Sequence, residues 1–182
     1  MLILGIDPGS RFTGYGLIEC DNGVERVLDY GVVKLDETDS HALRLKHIYD
    51  RLLGIIEANP PDECAVEMPV YANNAQSMLK LGRAQAAAML AVLNRQIPVT
   101  QYSPKEVKKS VTGNGNASKQ QVWYMVRSIL TIDDGSAPMG TDAADALAVG
   151  LCHAHRSTRG VGQRHAGGWA RFVRDNPDRI RG

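Results

Sequence analysis

The stretch Leu2-Ile3-Leu4-Gly5-Ile6-Asp7-Pro8-Gly9 (residues 2–9, LILGIDPG) sets the expectation for the fold. A short apolar run that ends in turn residues is typical of a strand buried within a sheet. Residues 2–6 are therefore predicted to form a central strand, with Asp7 at its carboxyl end.

Outward from this strand, the sequence alternates between strand and helix patterns. Two further strands are predicted at residues 13–19 and 27–35, and shorter ones at 64–67 and 99–102. Helices are predicted at 41–57, at 74–95, directly after Ser103, at 118–130 and at 141–155, where apolar spacing or a capping residue marks them. This order predicts an α/β fold with a mixed five-stranded sheet flanked by helices.

The chain of 182 residues fits one domain, and 43% hydrophobic with 23% charged residues indicates a globular protein. The net charge of +1 says nothing about partners, but residues 78–127 carry eight Lys and Arg and one acid. Such a segment predicts one positive face, although a solvated surface explains the charge equally well.

Three cysteines, Cys20, Cys64 and Cys152, lie far apart, which argues against a zinc site or a disulfide scaffold. Without a signal peptide or a membrane-spanning segment, a cytoplasmic location and no membrane partner are expected. Residues 1–155 are read as the folded domain. Residues 156–182, which hold seven Arg and five Gly, are read as a basic, mobile C-terminal tail.

Four carboxylates stand at positions where a site would form. Asp7 and Glu67 each end a predicted strand, where open α/β sheets place their sites. Taken singly, each is better explained as a turn residue or an exposed strand end. Asp142 and Asp145 are three residues apart and share one helix face, with Ala143 among the small residues between and beside them. Acids in a first helical turn also complement the helix dipole, which accounts for Asp142 better than for Asp145.

Taken together, the four acids predict a metal site. Converging carboxylates repel one another unless a cation neutralises them, and Mg²⁺ prefers oxygen ligands. Two such ions could support hydrolysis of a phosphodiester. His153 and His155 are assigned to the end of the last helix, where the dipole explains them.

The basic segment offers candidate nucleic-acid contacts. Lys119 opens a helix after a glycine-containing loop, which favours a phosphate site. Lys80 and Arg83 lie one turn apart on the long helix, and Lys108 is one of several lysines on the short helix, for which a solvated face is the alternative. Tyr71 follows Glu67 in a polar loop, where stacking on a base and anchoring the loop are equal alternatives.

With these residues, the sequence resembles the RuvC family of bacterial Holliday-junction resolvases. The resemblance covers roughly residues 1–155, and its combination of motifs is specific. It is carried by Gly5-Ile6-Asp7-Pro8-Gly9-Ser10-Arg11, Thr13-Gly14-Tyr15-Gly16, Glu67, Leu79-Lys80-Leu81-Gly82, the Gly113, Gly115, Ala117 and Lys119 spacing, and Asp142-Ala143-Ala144-Asp145-Ala146-Leu147-Ala148.

The resemblance implies a ribonuclease H-like fold and a homodimer that resolves four-way DNA junctions by paired symmetric nicks, in recombination and repair. It implies Mg²⁺, with Mn²⁺ as a substitute, and the branch-migration proteins RuvA and RuvB as partners. The catalytic and metal-binding acids would be Asp7, Glu67, Asp142 and Asp145, and the DNA-contacting lysines would be Lys108 and Lys119. Some members carry Phe where this chain has Val70, which leaves the stacking role of Tyr71 open.

Three other functions remain as alternatives. The pattern Gly5-Ile6-Asp7 with Gly9 also occurs in actin-like and sugar-kinase-like phosphotransferases, but 182 residues leave no room for their second domain. A non-catalytic DNA-binding module would not need four acids. A nuclease for RNA–DNA hybrids would use the same metal chemistry, and the residues cannot separate it from a junction nuclease.

Overall fold

The computed structural model describes residues 1–69, 74–132 and 140–162, with side chains through residue 157. Five strands form one sheet in the order β3-β2-β1-β4-β5. The strands are β1 (Leu2–Asp7), β2 (Phe12–Asp21), β3 (Val24–Lys34), β4 (Glu63–Glu67) and β5 (Val99–Tyr102). β1, β2 and β3 pair antiparallel, whereas β1, β4 and β5 pair parallel, so the predicted mixed five-stranded sheet is confirmed.

Five helices are described, and each starts within one residue or so of its predicted position. They are α1 (His41–Ala58), α2 (Ala75–Leu93), α3 (Pro104–Thr112), α4 (Lys119–Ile129) and α5 (Thr141–Gly162). Ser103 and Glu106 form a capping box at the start of α3, and Ser118 with Gln121 forms a second one at the start of α4. α5 continues seven residues beyond the predicted boundary at 155, and residues 163–182 of the predicted tail lie outside the described residues.

The helices cover the two faces of the sheet in separate layers. Leu4, Ile6 and Leu17 point to the face that α1 and α2 cover, where Ile48 and Ala88 belong to the same core. The neighbouring residues in sequence point the other way, because side chains alternate along a strand. Ile18 and Ala65 pack there against residues of α3, α4 and α5 such as Val107, Val126 and Leu147.

α5 lies close to the sheet because glycines of β1 and β2 face it. A Cβ on Gly5 of β1 would overlap the carbonyl oxygen of Ala146 and lie 2.7 Å from the amide nitrogen of Gly150. A Cβ on Gly16 of β2 would lie 2.5 Å from the Leu147 side chain. The small residues of α5, such as Ala146 and Gly150, and the glycines of β1 and β2 together permit this close approach.

Cys64 and Cys152 are buried with free thiols, and they pack as small core residues. None of the helices in the described ranges is both long enough and apolar enough to cross a bilayer.

We predict that Gly5→Ala destabilises the protein by about 3 kcal/mol, because the added methyl meets backbone atoms of α5 that cannot move aside. Chemical denaturation monitored by circular dichroism measures the change.

Gly54→Ala is the matched control. A Cβ at Gly54 on α1 meets nothing within 4 Å, so alanine should be stabilising by roughly 0.5–1 kcal/mol through its higher helix propensity. Equal effects at the two glycines would contradict the close contact between α5 and β1.

Candidate active site

Asp7 and Glu67 leave the sheet at the same edge. Asp7 is the last residue of β1 and Glu67 the last residue of β4. The two strands are parallel neighbours, and their register pairs Ile6 with Val66. The next residue on each strand is therefore a carboxylate, so the predicted convergence of these two acids is present.

α5 brings its own carboxylates to this edge. Asp7 pairs with Gly14 of β2, and a Cβ on Gly14 would overlap the backbone carbonyl of Asp142. The first turn of α5 thus rests on the strand next to Asp7. Asp145, one turn further, is only 19% exposed in its side chain.

A cavity of about 250 Å³ opens between this edge of the sheet and the helices α3, α4 and α5. Three of the four predicted acids line it, namely Asp7, Glu67 and Asp145. Asp142 is not among the lining residues, although its charge helps to raise the pKa of Asp7. The remaining lining residues are Pro104, Val107, Lys108, Lys119, Val122 and Ala148.

The two strand-end carboxyls hold protons more tightly than free acids. Burial, together with the charge of Asp145, raises the pKa of Asp7 to about 6. Burial and the neighbouring Asp7 raise the pKa of Glu67 to about 8. The two groups share a hydrogen bond, in which protonated Glu67 donates and Asp7 accepts. Near neutral pH, this pair therefore retains a proton that a bound cation would displace.

Lys119 supplies a positive charge to the cavity. Its Nζ donates a hydrogen bond to Oδ2 of Asp145 over 2.8 Å, and this bond raises the pKa of the lysine. The same ammonium lowers the pKa of both Asp7 and Glu67, although their burial and mutual repulsion outweigh it. The side chain is 69% exposed, so it can reach a ligand in solvent as well as Asp145.

The donor set of the cavity suits a hard divalent cation. All three acidic lining residues offer carboxylate oxygens. Burial leaves a proton on the pair Asp7 and Glu67, whereas Asp145 forms an ion pair with Lys119. Within the described ranges, no three His, Cys, Asp or Glu side chains already form a metal-binding group.

The other predicted contacts fall into three places. Lys108 lines the cavity together with Lys119. Lys80 and Arg83 lie on α2, which covers the opposite face of the sheet, so they do not join that pair. Tyr71 lies outside the described residues.

Sequence reasoning missed His41 and Arg44 at the start of α1. Nη1 of Arg44 donates to the carbonyl oxygen of Ser10, 3.4 Å away, in the turn that follows Asp7. A signal was available in the sequence, because cations in the first turns of a helix oppose its dipole and need a reason to be there.

His153 has a different role from the one expected for a histidine at a helix end. It is buried, its Nδ1 lies 2.8 Å from the hydroxyl of Tyr102, and its Nε2 contacts Glu63. The imidazole links α5 to β4 and β5, away from the cavity, in agreement with leaving it out of the site.

Comparisons with known proteins identify the family. A family model described as Crossover junction endodeoxyribonuclease RuvC matches residues 3–153. The protein named Crossover junction endodeoxyribonuclease RuvC from Salinibacter ruber is 58% identical over 180 residues, which cover 99% of each chain. The solved structure of Thermus thermophilus RuvC has a TM-score of 0.78 at 33% identity, and that of T. thermophilus RuvC in complex with Holliday junction substrate has 0.78 at 30% identity. Both cover 88% of this chain and 97% of the solved chain. The chain therefore belongs to the RuvC family of crossover junction endodeoxyribonucleases and has its ribonuclease H-like fold.

Proposed function

We propose that this chain resolves four-way DNA junctions by paired symmetric nicks, through metal-assisted hydrolysis of the phosphodiester. One observation carries the proposal: three partly buried carboxylates and two lysines line one cavity in a chain of the RuvC family. The T. thermophilus relative, which this chain matches over 97% of its length, binds a Holliday junction in its solved complex.

Members of this family are metal-dependent nucleases, and we infer that Mg²⁺ serves this chain, with Mn²⁺ as a substitute and two ions per site. The oxygen-only donor set supports a hard cation over zinc. Asp7, Glu67 and Asp145 would hold it, with Asp142 contributing from the first turn of α5. When bound, the metal would activate a water and stabilise the leaving oxygen of an in-line displacement.

The side chains of the cavity prepare the site for phosphate. With a cation bound, Glu67 would release to solvent the proton that it shares with Asp7. The Lys119 ammonium, which donates to Asp145 and is largely exposed, would then be available to contact a phosphate oxygen. Lys108 approaches the same cavity from α3 and would neutralise an adjacent phosphate.

Two of the three alternative functions do not agree with the family. Membership of an endodeoxyribonuclease family argues against a phosphotransferase and against a non-catalytic DNA-binding module. An RNA–DNA hybrid nuclease would use the same carboxylates, so substrate shape has to be tested directly. A cleavage panel in Mg²⁺ with a four-way junction, a plain duplex and a hybrid should show cleavage of the junction in preference to the other two. Equal cleavage of the hybrid would reject junction selectivity.

We further propose that the chain acts as a homodimer in the cytoplasm, together with RuvA and RuvB, in recombination and repair. Paired nicks on a two-fold symmetric junction require two sites in a fixed relation, which a symmetric dimer supplies. Analytical ultracentrifugation tests the dimer.

Asp7→Asn should reduce junction cleavage by at least about a thousandfold while the junction is still bound, because the variant loses a metal-binding charge at the centre of the cavity. Gel-based cleavage and binding assays on the same junction measure the two effects. Asp21→Asn, at an exposed position where β2 ends, is the matched control and should cleave normally. Normal nicking by the Asp7 variant would overturn the metal site.

Lys108→Ala should weaken junction binding and reduce the slope of log Kd against log salt by about one, since one phosphate contact is lost. Lys109→Ala removes the same charge from an exposed neighbour that does not line the cavity, and its slope should stay closer to that of the parent protein. Identical slopes for the two variants would assign Lys108 to the solvated surface.

In the absence of metal, Glu67→Gln should stabilise the protein increasingly as the pH rises from about 5 to about 8.5. The folded pKa of Glu67, about 8, lies above the ordinary value of 4.5, so the folded state binds more protons and the parent loses stability over this range. The variant removes that ionisation. Thermal melting in chelator measures the difference, and added Mg²⁺ should reduce or reverse it by binding the parent. A difference that does not change with pH would contradict the raised pKa.

A further inference from the structure

A second group of cationic and titratable side chains lies outside the cavity, where α1 and α2 pack together. It consists of His41 and Arg44 on α1 with Lys80 and Arg83 on α2, and we refer to it as the α1–α2 cluster. These residues are close enough that Arg83, Arg44 and Lys80 each contribute to lowering the pKa of His41, after the effect of its burial.

The α1–α2 cluster has no countercharge within the part of the chain that the structure describes. None of its four members forms an ion pair there, whereas the nearby surface cations Arg11, Lys46 and Arg95 each contact a carboxylate. Both ring nitrogens of His41 and the Nε of Arg44 are shielded from solvent without a hydrogen-bond partner. Buried polar atoms of this kind normally have a partner, so the Nε–H of Arg44 and the one N–H of a neutral His41 ring point to a ligand with acceptor oxygens.

The N-terminus of α1 favours a bound anion. His41 is the first residue of α1 and Arg44 lies in the turn that follows, while the first turn contains no acid. The N-terminus of a helix carries partial positive charge and attracts anions, so cations placed there are unfavourable without one. Since dipole and side chains have the same sign, they would act together on a bound phosphate.

The α1–α2 cluster flanks the same edge of the sheet as the catalytic cavity. Arg44 donates to the carbonyl of Ser10, three residues after Asp7. α2 begins eight residues after Glu67. Lys108 and Lys119 approach this edge from the helices on the other face. A DNA strand that crosses the edge with its scissile phosphate at Asp7 would thus meet cations on both sides.

We propose that His41, Arg44, Lys80 and Arg83 form a second phosphate-binding site, which holds one nonscissile phosphate of the DNA backbone beside the cavity. Exposed Lys80 and Arg83 contact the phosphate first, and Arg44 and His41 support them from α1. The proposal rests on the proposed function, because it takes the ligand to be the backbone of the bound junction.

Binding is measured in the Asp7→Asn protein so that the junction stays intact. The double variant Lys80→Gln/Arg83→Gln should raise the Kd about tenfold at 0.1 M salt and lower the salt slope by about one. Lys46→Gln/Arg95→Gln is the matched control, since it removes one Lys and one Arg whose charges are already paired with Asp50 and Glu57. Equal slopes for the two double variants would overturn the proposal.

A scan with neutral methylphosphonates then identifies the phosphate. At one position near the cleavage point, replacing the phosphate should weaken binding of the Asp7→Asn protein. The same replacement should cause no further loss of affinity when Lys80 and Arg83 are also substituted, because that contact is already gone. Coupling at no position, or only at the scissile phosphate, would reject a second site. The proposed function fails separately, if the unaltered protein does not cleave junctions in Mg²⁺.

Discussion

The contact between α5 and the strands β1 and β2 determines where the acids of the helix lie relative to the carboxylates at the strand ends. Gly5 on the sheet faces the backbone of Ala146 and Gly150 on the helix, whereas Gly16 faces the Leu147 side chain. The contact at Gly5 permits little adjustment, because no flexible side chain separates the two backbones there. The helix is therefore held at one height above the sheet, and its first turns carry their carboxylates to the end of β1.

A consequence of this rigid placement is electrostatic. Carboxyls that cannot move apart, and that lie partly out of water, must lower their charge or find a cation. Glu67 and Asp7 lower their charge by sharing a proton, while Asp145 pairs with Lys119. Both solutions are reversible, since a proton can leave and an exposed lysine can turn away. The site is thus less stable than an apolar edge would be, and that cost is what a divalent cation and a phosphate can relieve.

Much of this arrangement could be predicted from the sequence because its signals are local. An apolar run that ends in turn residues located β1, and a short apolar run located β4; the parallel pairing of the two strands then places Asp7 beside Glu67. The rotation of α5 about its axis could not be predicted, since it follows from which glycines of the sheet meet the helix. That rotation decides that Asp145 lines the cavity and Asp142 does not. Tyr71 and residues 163–182 stay predictions, because they lie outside the described residues.

A cavity rich in carboxylates repels DNA, so attraction and chemistry have to come from different residues. Phosphates that flank the scissile one lie several ångströms away along the backbone, beyond the acids but within reach of the surrounding cations. Lys108 provides such a cation on one face of the sheet, and Lys80 and Arg83 provide them on the other. On the proposed function, affinity that comes from the flanks should survive the loss of an acid, whereas cleavage should not. Binding and hydrolysis would then be separable because the carboxyl edge of the sheet lies between two positively charged helical layers.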